Sequence, residues 1–89
     1  MSERAWYVYI VRCRTGQLYT GISLDVKRRV EEHNRGQGAR FTKTRRPVLL
    51  VYQETCRDRP SAMRREIEIK RMTRRQKVSM TVAFRRPPR

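Results

Sequence analysis

The sequence predicts an α+β domain in which a small sheet is covered by helices. Two features dictate this. Hydrophobic patterning runs in the order β-β-α-β-α-α, which suits one sheet packed against helices. The chain has 89 residues, enough for one domain that buries only roughly 60–65% of its unfolded surface and so needs a compact core. A single domain over residues 1–84 is expected. Arg85-Arg86-Pro87-Pro88-Arg89 reads as a disordered basic tail, since paired prolines prevent regular pairing.

Each element has a local cause. From Trp6 to Cys13, Trp6, Val8 and Ile10 alternate against Tyr7, Tyr9 and Val11. Apolar side chains on both faces mark a strand covered from both sides. Arg14-Thr15-Gly16 supplies a turn, and Leu18 to Ile22 returns as an antiparallel partner. Asp25 offers the N-cap of a helix reaching about Asn34, with Val26 and Val30 inward, and Gly36 and Gly38 end it. A strand over Val48 to Tyr52 follows Pro47, which is tolerated at a strand's first position. Ser61 is expected to cap a second helix through about Met72, and Thr73-Arg74-Arg75-Gln76 reads as a capping box opening a third.

Composition narrows function. Lys and Arg number 23 against 8 Asp and Glu, a net charge of +15. No acid follows Glu68. Solubility is served by roughly 2–8 charges, so this excess points to a polyanion, most commonly nucleic acid. No stretch approaches the roughly 18 consecutive apolar residues of a membrane-spanning helix, so a membrane role is not expected. Met1-Ser2-Glu3-Arg4 lacks the apolar core of a signal peptide. A cytoplasmic location, with Cys13 and Cys56 as reduced thiols, is the default expectation. Two cysteines and one histidine are too few for a closed structural zinc site, which usually needs four N/S ligands.

On the helix Ala62–Arg71, a helical projection puts Ala62, Met63, Ile67 and Ile69 on one side, opposite Arg64, Arg65, Glu68 and Arg71. Glu66 projects from the middle of the apolar arc, with Lys70 one turn beyond. A carboxylate facing a core must be paired, neutralised or bound to metal. Glu66 is therefore either an ordinary i,i+4 partner of Lys70 at the core's rim or a functional acid. Tyr7, Tyr9 and Tyr19 place three phenols in one hairpin, where packing is the usual role of aromatics. Arg29 and His33 flank the Val26/Val30 stripe. Arg29 either pairs with Asp25 or joins phenol and carboxylate around a phosphate.

The segment from Arg35 to Arg46 carries Arg35, Arg40, Lys43, Arg45 and Arg46, no acid, and Phe41. Basic side chains can track phosphates while an aromatic stacks on an unpaired base, unless Phe41 tucks into the core. Together with Lys70, Arg74, Arg75 and Lys77, this loop is expected to form a continuous basic face. Phosphate contacts give affinity and register without reading sequence.

Several of these residues also carry a pattern. Tyr7-Val8-Tyr9, Tyr19-Thr20-Gly21, then Asp25 to Asn34 with Arg29 and His33, together resemble the signature of the GIY-YIG nucleases. Ala62-Met63-Arg64-Arg65-Glu66 with Ile69-Lys70 resembles that family's acidic motif. Gly38-Ala39-Arg40-Phe41-Thr42 and Arg46 to Tyr52 are similar to its small stand-alone bacterial branch, related to the catalytic domain of excision-repair incision nucleases. The resemblance covers roughly Trp6 to Gln76. It implies a three-stranded antiparallel sheet flanked by helices, one divalent metal (Mg²⁺ or Mn²⁺) and hydrolysis of DNA phosphodiesters. By the same resemblance Tyr19 is the general base, Tyr9 positions water and phosphate, Arg29 stabilises phosphoryl charge and Glu66 is the metal ligand. His33 falls where the family often has histidine. Tyr7 replaces the glycine that opens the family motif, and Ile22 stands where the excision-repair branch carries lysine.

The residue types suit that chemistry. Phosphodiester cleavage develops negative charge that a fixed cation and a metal stabilise. Mg²⁺ prefers hard oxygen ligands such as a carboxylate. The expected function is a DNA nuclease of little sequence specificity, acting in repair or recombination on branched, flapped or damaged DNA, with a protein partner as a source of specificity. The other readings are a nucleic-acid-binding accessory module without substantial turnover, and a basic RNA-associated protein.

Overall fold

The computed structural model describes residues 5–85. Strand β1 (Trp6–Cys13) runs between β2 (Leu18–Ser23) and β3 (Val48–Cys56) in a three-stranded sheet of order β2-β1-β3. Both pairings are antiparallel, and the α+β architecture is the expected one. The central position explains why β1 is apolar on both faces. Val8 and Ile10 pack with Val51, Cys56, Ala62 and Ile69 on one side. Tyr9, Val11 and Cys13 pack with Val26 and Val48 on the other. A register shift between Ile10 and Val11 marks a bulge against β3, which changes the twist without changing the faces of β1.

Helices α1 (Val26–Asn34) and the single-turn α2 (Arg40–Lys43) lie on the Tyr9 side, while α3 (Arg59–Lys70) and α4 (Arg74–Arg85) serve the Val8 side. Asp25 caps α1 as expected, its carboxylate accepting from the Arg28 amide at 3.1 Å. The capping box of α4 also forms: the Thr73 amide donates to Gln76 Oε1 at 2.9 Å, and the Gln76 amide donates to Thr73 Oγ1 at 3.2 Å.

Four expectations need correction. Helix α3 is capped by Asp58, not Ser61; Asp58 Oδ1 accepts from the Ser61 amide at 2.9 Å. Pro60 fits the first turn, where its missing N–H costs nothing. Strand β3 continues to Cys56 rather than stopping at Tyr52, because its polar end is satisfied in place: Glu54 accepts from Arg65 Nε at 3.0 Å. That contact across to β3 turns α3 so that Arg65 and Glu66 lie on its sheet side with buried Ala62 and Ile69, while Glu68 braces Arg65 from within the helix at 3.2 Å. Met63 and Ile67 are consequently exposed. Finally, Arg85 closes α4 instead of opening a tail, and residues 86–89 lie outside the described residues.

Cys13 and Cys56 are free and buried, at opposite ends of β1 and in different core clusters, so they do not bridge. Among the described residues no helix is long and apolar enough to cross a membrane.

Asn34 ties the end of α1 to the start of β3. Its Nδ2 donates to the Val48 carbonyl at 3.1 Å, and its Oδ1 accepts from the Val48 amide at 2.7 Å. The side chain thereby imitates a strand neighbour at the sheet edge. Asn34→Ala removes both bonds and is expected to cost about 1–2 kcal/mol, read as a lowered urea midpoint with an unchanged slope. An unchanged midpoint would show that water replaces the amide without loss.

Candidate active site

The sheet register puts Tyr9 directly opposite Gly21. A Cβ at position 21 would stand 2.6 Å from the Tyr9 hydroxyl, so only glycine lets the phenol lie across β2. Beyond that strand the hydroxyl meets His33, whose Nε2 is 2.7 Å away. His33 is completely buried. Its Nδ1 lies 2.7 Å from Thr42 Oγ1, and a Cβ on Gly38 would collide with the imidazole. Burial, then the Arg29 charge, push the His33 pKa down, which favours the neutral ring. Burial pushes the Tyr9 phenol up to about 12, against the opposing pull of Arg29.

Arg29 does not pair with Asp25. Its Nη1 is 3.0 Å from Glu32 Oε1, which aims the guanidinium at the Tyr9 side of the sheet, where it faces the Tyr9 hydroxyl. Tyr19 lies beside this group, edge-on to His33 with centroids 5.3 Å apart and stacked on Phe41 at 5.9 Å and 21°. Phe41 is in turn covered by the Arg45 guanidinium, 4.0 Å from its centroid. The ring thus supports Tyr9's neighbour Tyr19 and carries Arg45; it is neither a core residue nor a bare platform for a base. The single turn of α2 accounts for this, directing Phe41 outward and Thr42 inward. Among the described residues the Tyr19 hydroxyl has no protein partner, and none of their buried polar side-chain atoms goes unpaired, so this hydroxyl faces solvent.

Glu66 arrives from the opposite face. Helix α3 packs over β1 and β2, and β2 is an edge strand, so side chains from the two faces can meet around it. The Glu66 side chain is 22% exposed and accepts a contact from Lys70 Nζ at 3.4 Å. The i,i+4 pair anticipated as the ordinary alternative therefore exists. Through Lys70 the same acid stands on the Tyr19 side of the sheet, close to the phenols. Lys70 Nζ stands 5.9 Å from the Tyr19 ring. Among the described residues no three His, Cys, Asp or Glu side chains cluster as a ready-made metal cage. One carboxylate completed by water and phosphate oxygens is the kind of set that Mg²⁺ uses, so the residues present fit that ion.

The basic loop is held by backbone carbonyls, not by acids. Arg45 donates to the Phe41 carbonyl at 2.7 Å, Arg46 to that of Lys43 at 2.9 Å, and Arg14 to that of Arg46 at 2.9 Å. Arg74 reaches the β1–β2 turn from the other side, donating to the Gly16 carbonyl at 3.1 Å. Arg35, Arg40 and Lys43 are exposed nearby. Arg75 and Lys77 follow on α4, the helix that packs on β3, and among the described residues no acid orients either of them. Sequence reasoning did not single out Arg14, Glu32 or Thr42. Thr42 stood in the segment that resembles the stand-alone branch, but nothing gave it a role, because one hydroxyl in a basic loop looks like solvated surface.

A family model described as the GIY-YIG catalytic domain matches residues 5–79. A UPF0213 protein of Desulfotalea psychrophila is 52% identical over 80 residues, spanning 89% of this chain and 73% of the relative. One from Staphylococcus aureus is 57% identical over 74 residues, spanning 83% and 90%. The solution NMR structure of a UPF0213 protein from Bacillus halodurans matches with a TM-score of 0.57 and 39% identity, over 94% of this chain and 88% of that one. An E. faecalis protein matches with a TM-score of 0.62 and 32% identity, over 99% and 94%. A family model spanning most of the chain and relatives more than half identical to it agree, and the chain belongs to the GIY-YIG nuclease family alongside the UPF0213 proteins.

Proposed function

We propose that this domain hydrolyses DNA phosphodiester bonds with the help of Mg²⁺ or Mn²⁺ held by Glu66. The observation that carries the reading is the grouping at the β2 edge of Tyr9 and Tyr19 around His33, with Arg29 beside Tyr9 and the Glu66–Lys70 pair beside the Tyr19 ring, on a chain of net charge +15. Simple binding of phosphate needs no carboxylate there. Arg29, oriented by Glu32, stabilises charge developing on the phosphoryl oxygens. Tyr9 positions water and phosphate from the buried side, and Tyr19, with its hydroxyl facing solvent, takes the proton of the attacking water. Glu66 would hold the cation, which when bound would supply Lewis-acid stabilisation of developing negative charge. Lys70 is half exposed and holds the more buried Glu66 at 3.4 Å, so its ammonium is free to turn to a phosphate.

DNA is gripped through Arg45, Arg46, Arg40, Lys43 and Arg35, with Arg14 and Arg74 at the turn. These contacts read phosphates, so sequence preference is small. Repair or recombination in the cytoplasm, on branched, flapped or damaged DNA and with a partner protein adding selectivity, is the corresponding setting. The competing reading is a DNA-binding module with little turnover. It draws on the Glu66–Lys70 pair and on Ile22, which packs against the core where the excision-repair branch has a lysine.

Incubating labelled duplex, single-stranded, flap and junction DNAs with Mg²⁺ or EDTA separates the two. Cleavage should require the metal, and Glu66→Ala and Tyr19→Phe should each reduce it by about 100-fold or more, with binding at low salt retained. Metal-independent cleavage, or cleavage untouched by both changes, would remove these residues from the reaction. Binding should also weaken with salt, with a logarithmic slope of about −0.9 per phosphate contacted on duplex DNA. Arg45→Ala and Arg46→Ala should each flatten that slope by about 0.9 without altering preference among sequences. A slope near zero would count against phosphate-driven binding.

A further inference from the structure

Behind Tyr9 runs a buried chain of hydrogen bonds that the proposed reaction does not use. The Tyr9 hydroxyl is 2.7 Å from His33 Nε2, His33 Nδ1 is 2.7 Å from Thr42 Oγ1, and Thr42 Oγ1 is 2.9 Å from the Ala39 carbonyl. Tyr9 is 1% exposed, and His33 and Thr42 are not exposed at all. Solvent therefore cannot satisfy the imidazole or the Thr42 hydroxyl, and each of their protons must have an acceptor within the chain.

The direction of the chain follows from counting protons. With its pKa near 12, the Tyr9 phenol keeps its proton at neutral pH. Of the groups facing its oxygen, the Arg29 guanidinium has donors only. The hydrogen bond that the hydroxyl makes is to His33 Nε2, so Nε2 is the acceptor and, in a neutral ring, Nδ1 carries the proton. Thr42 then accepts from Nδ1, and its own proton goes to the Ala39 carbonyl. The competing donor to Nδ1, the Ala39 amide, lies 3.4 Å away, the longest of these contacts. With this arrangement the Tyr9 proton points into the protein and a lone pair of its oxygen points out, toward Arg29, Tyr19 and the Glu66 side of the site.

We propose that Thr42 is a positioning residue: it fixes the tautomer of His33 and so makes Tyr9 present an acceptor, not a donor, to the attacking water. This rests on the nuclease reading for its consequence but not for its test. A water that donates one proton to Tyr9 has its nucleophilic lone pair turned away from the phenol and available for the phosphorus. If Nε2 carried the hydrogen instead, the Tyr9 proton would be displaced outward and would compete for that lone pair.

His33 is the single histidine of the chain, so a long-range ¹H–¹⁵N spectrum of ¹⁵N-labelled protein reports its tautomer without assignment. The expected result is an Nδ1–H tautomer in the native protein and in Thr42→Ser, with conversion wholly or partly to Nε2–H in Thr42→Val. Should the valine chain not fold, Thr42→Ala makes the same comparison. An Nε2–H tautomer in the native protein, or one unmoved by loss of the hydroxyl, overturns the proposal. In cleavage assays Thr42→Val should lower kcat by about 10–100-fold with KM for DNA unchanged, and Thr42→Ser should restore it. A native protein with the Nδ1–H tautomer and no cleavage would defeat the nuclease reading while leaving the hydrogen-bond chain in place.

Discussion

One close approach governs the rest of this domain: a phenol lying across a glycine. Tyr9 reaches its histidine only because position 21 has no side chain. From that crossing a series of requirements follows. The imidazole it meets must be buried, so it must be neutral and bonded at both nitrogens. The chain leaving α1 must pass tight against the ring, which excludes a side chain at position 38. The next turn must bring a hydroxyl to Nδ1, and the residue before that hydroxyl then falls on Tyr19. Positions 9, 19, 21, 33, 38, 41 and 42 are thus one packing unit, not a scatter of motif letters.

Charge is organised by how few acids there are. Glu32 holds Arg28 and Arg29, Glu54 and Glu68 hold Arg65, and Glu66 meets Lys70. Asp25 and Asp58 are taken by helix caps. Most of these pairs are partly buried, so desolvation offsets much of their attraction; their value is to fix the direction of particular guanidinium groups. Arg65 sets the rotation of α3, and Arg29 is aimed at the phenol. The basic residues of the loop and turn are oriented by carbonyl oxygens instead. That geometry places them without neutralising them, leaving their charge for a polyanion.

Strands β1 and β2, helix α1 and the box that opens α4 were legible because their signals are local: alternation, a turn with glycine, a cap three residues before its amide. Tertiary satisfaction hid the remainder. Gln53, Glu54 and Thr55 look unlike a strand until Arg65 and the β1 ladder supply their partners. The helical projection of α3 misplaced Met63 and Ile67 because it ranked side chains by hydropathy, whereas Arg65 is drawn inward by Glu54. Tyr9, Tyr19, Arg29 and Glu66 could be singled out as chemically unusual, and family motifs gave them an order. Thr42 could not, since its importance comes from a ring nine residues away that only folding brings to it.

The location at the β2 edge follows from the economy of a small sheet. Phenols and guanidinium come from one face and the carboxylate from the other, so they can share a site only where the sheet ends. At β3 that route is narrowed by α4, with Phe84 packed edge-on against Tyr52 at 5.6 Å; at β2 the helix that packs is α3 itself, which carries the acid, and the strand offers glycine at its centre. Helix α3 then needs a fixed rotation to bring its acid round. Ala62 and Ile69, both fully buried, bracket Glu66 and pin that rotation at two points. A larger side chain at 62 would lift the helix from the sheet and carry the carboxylate away from Tyr9, so this alanine sets the position of the acid as surely as the backbone of α3 does.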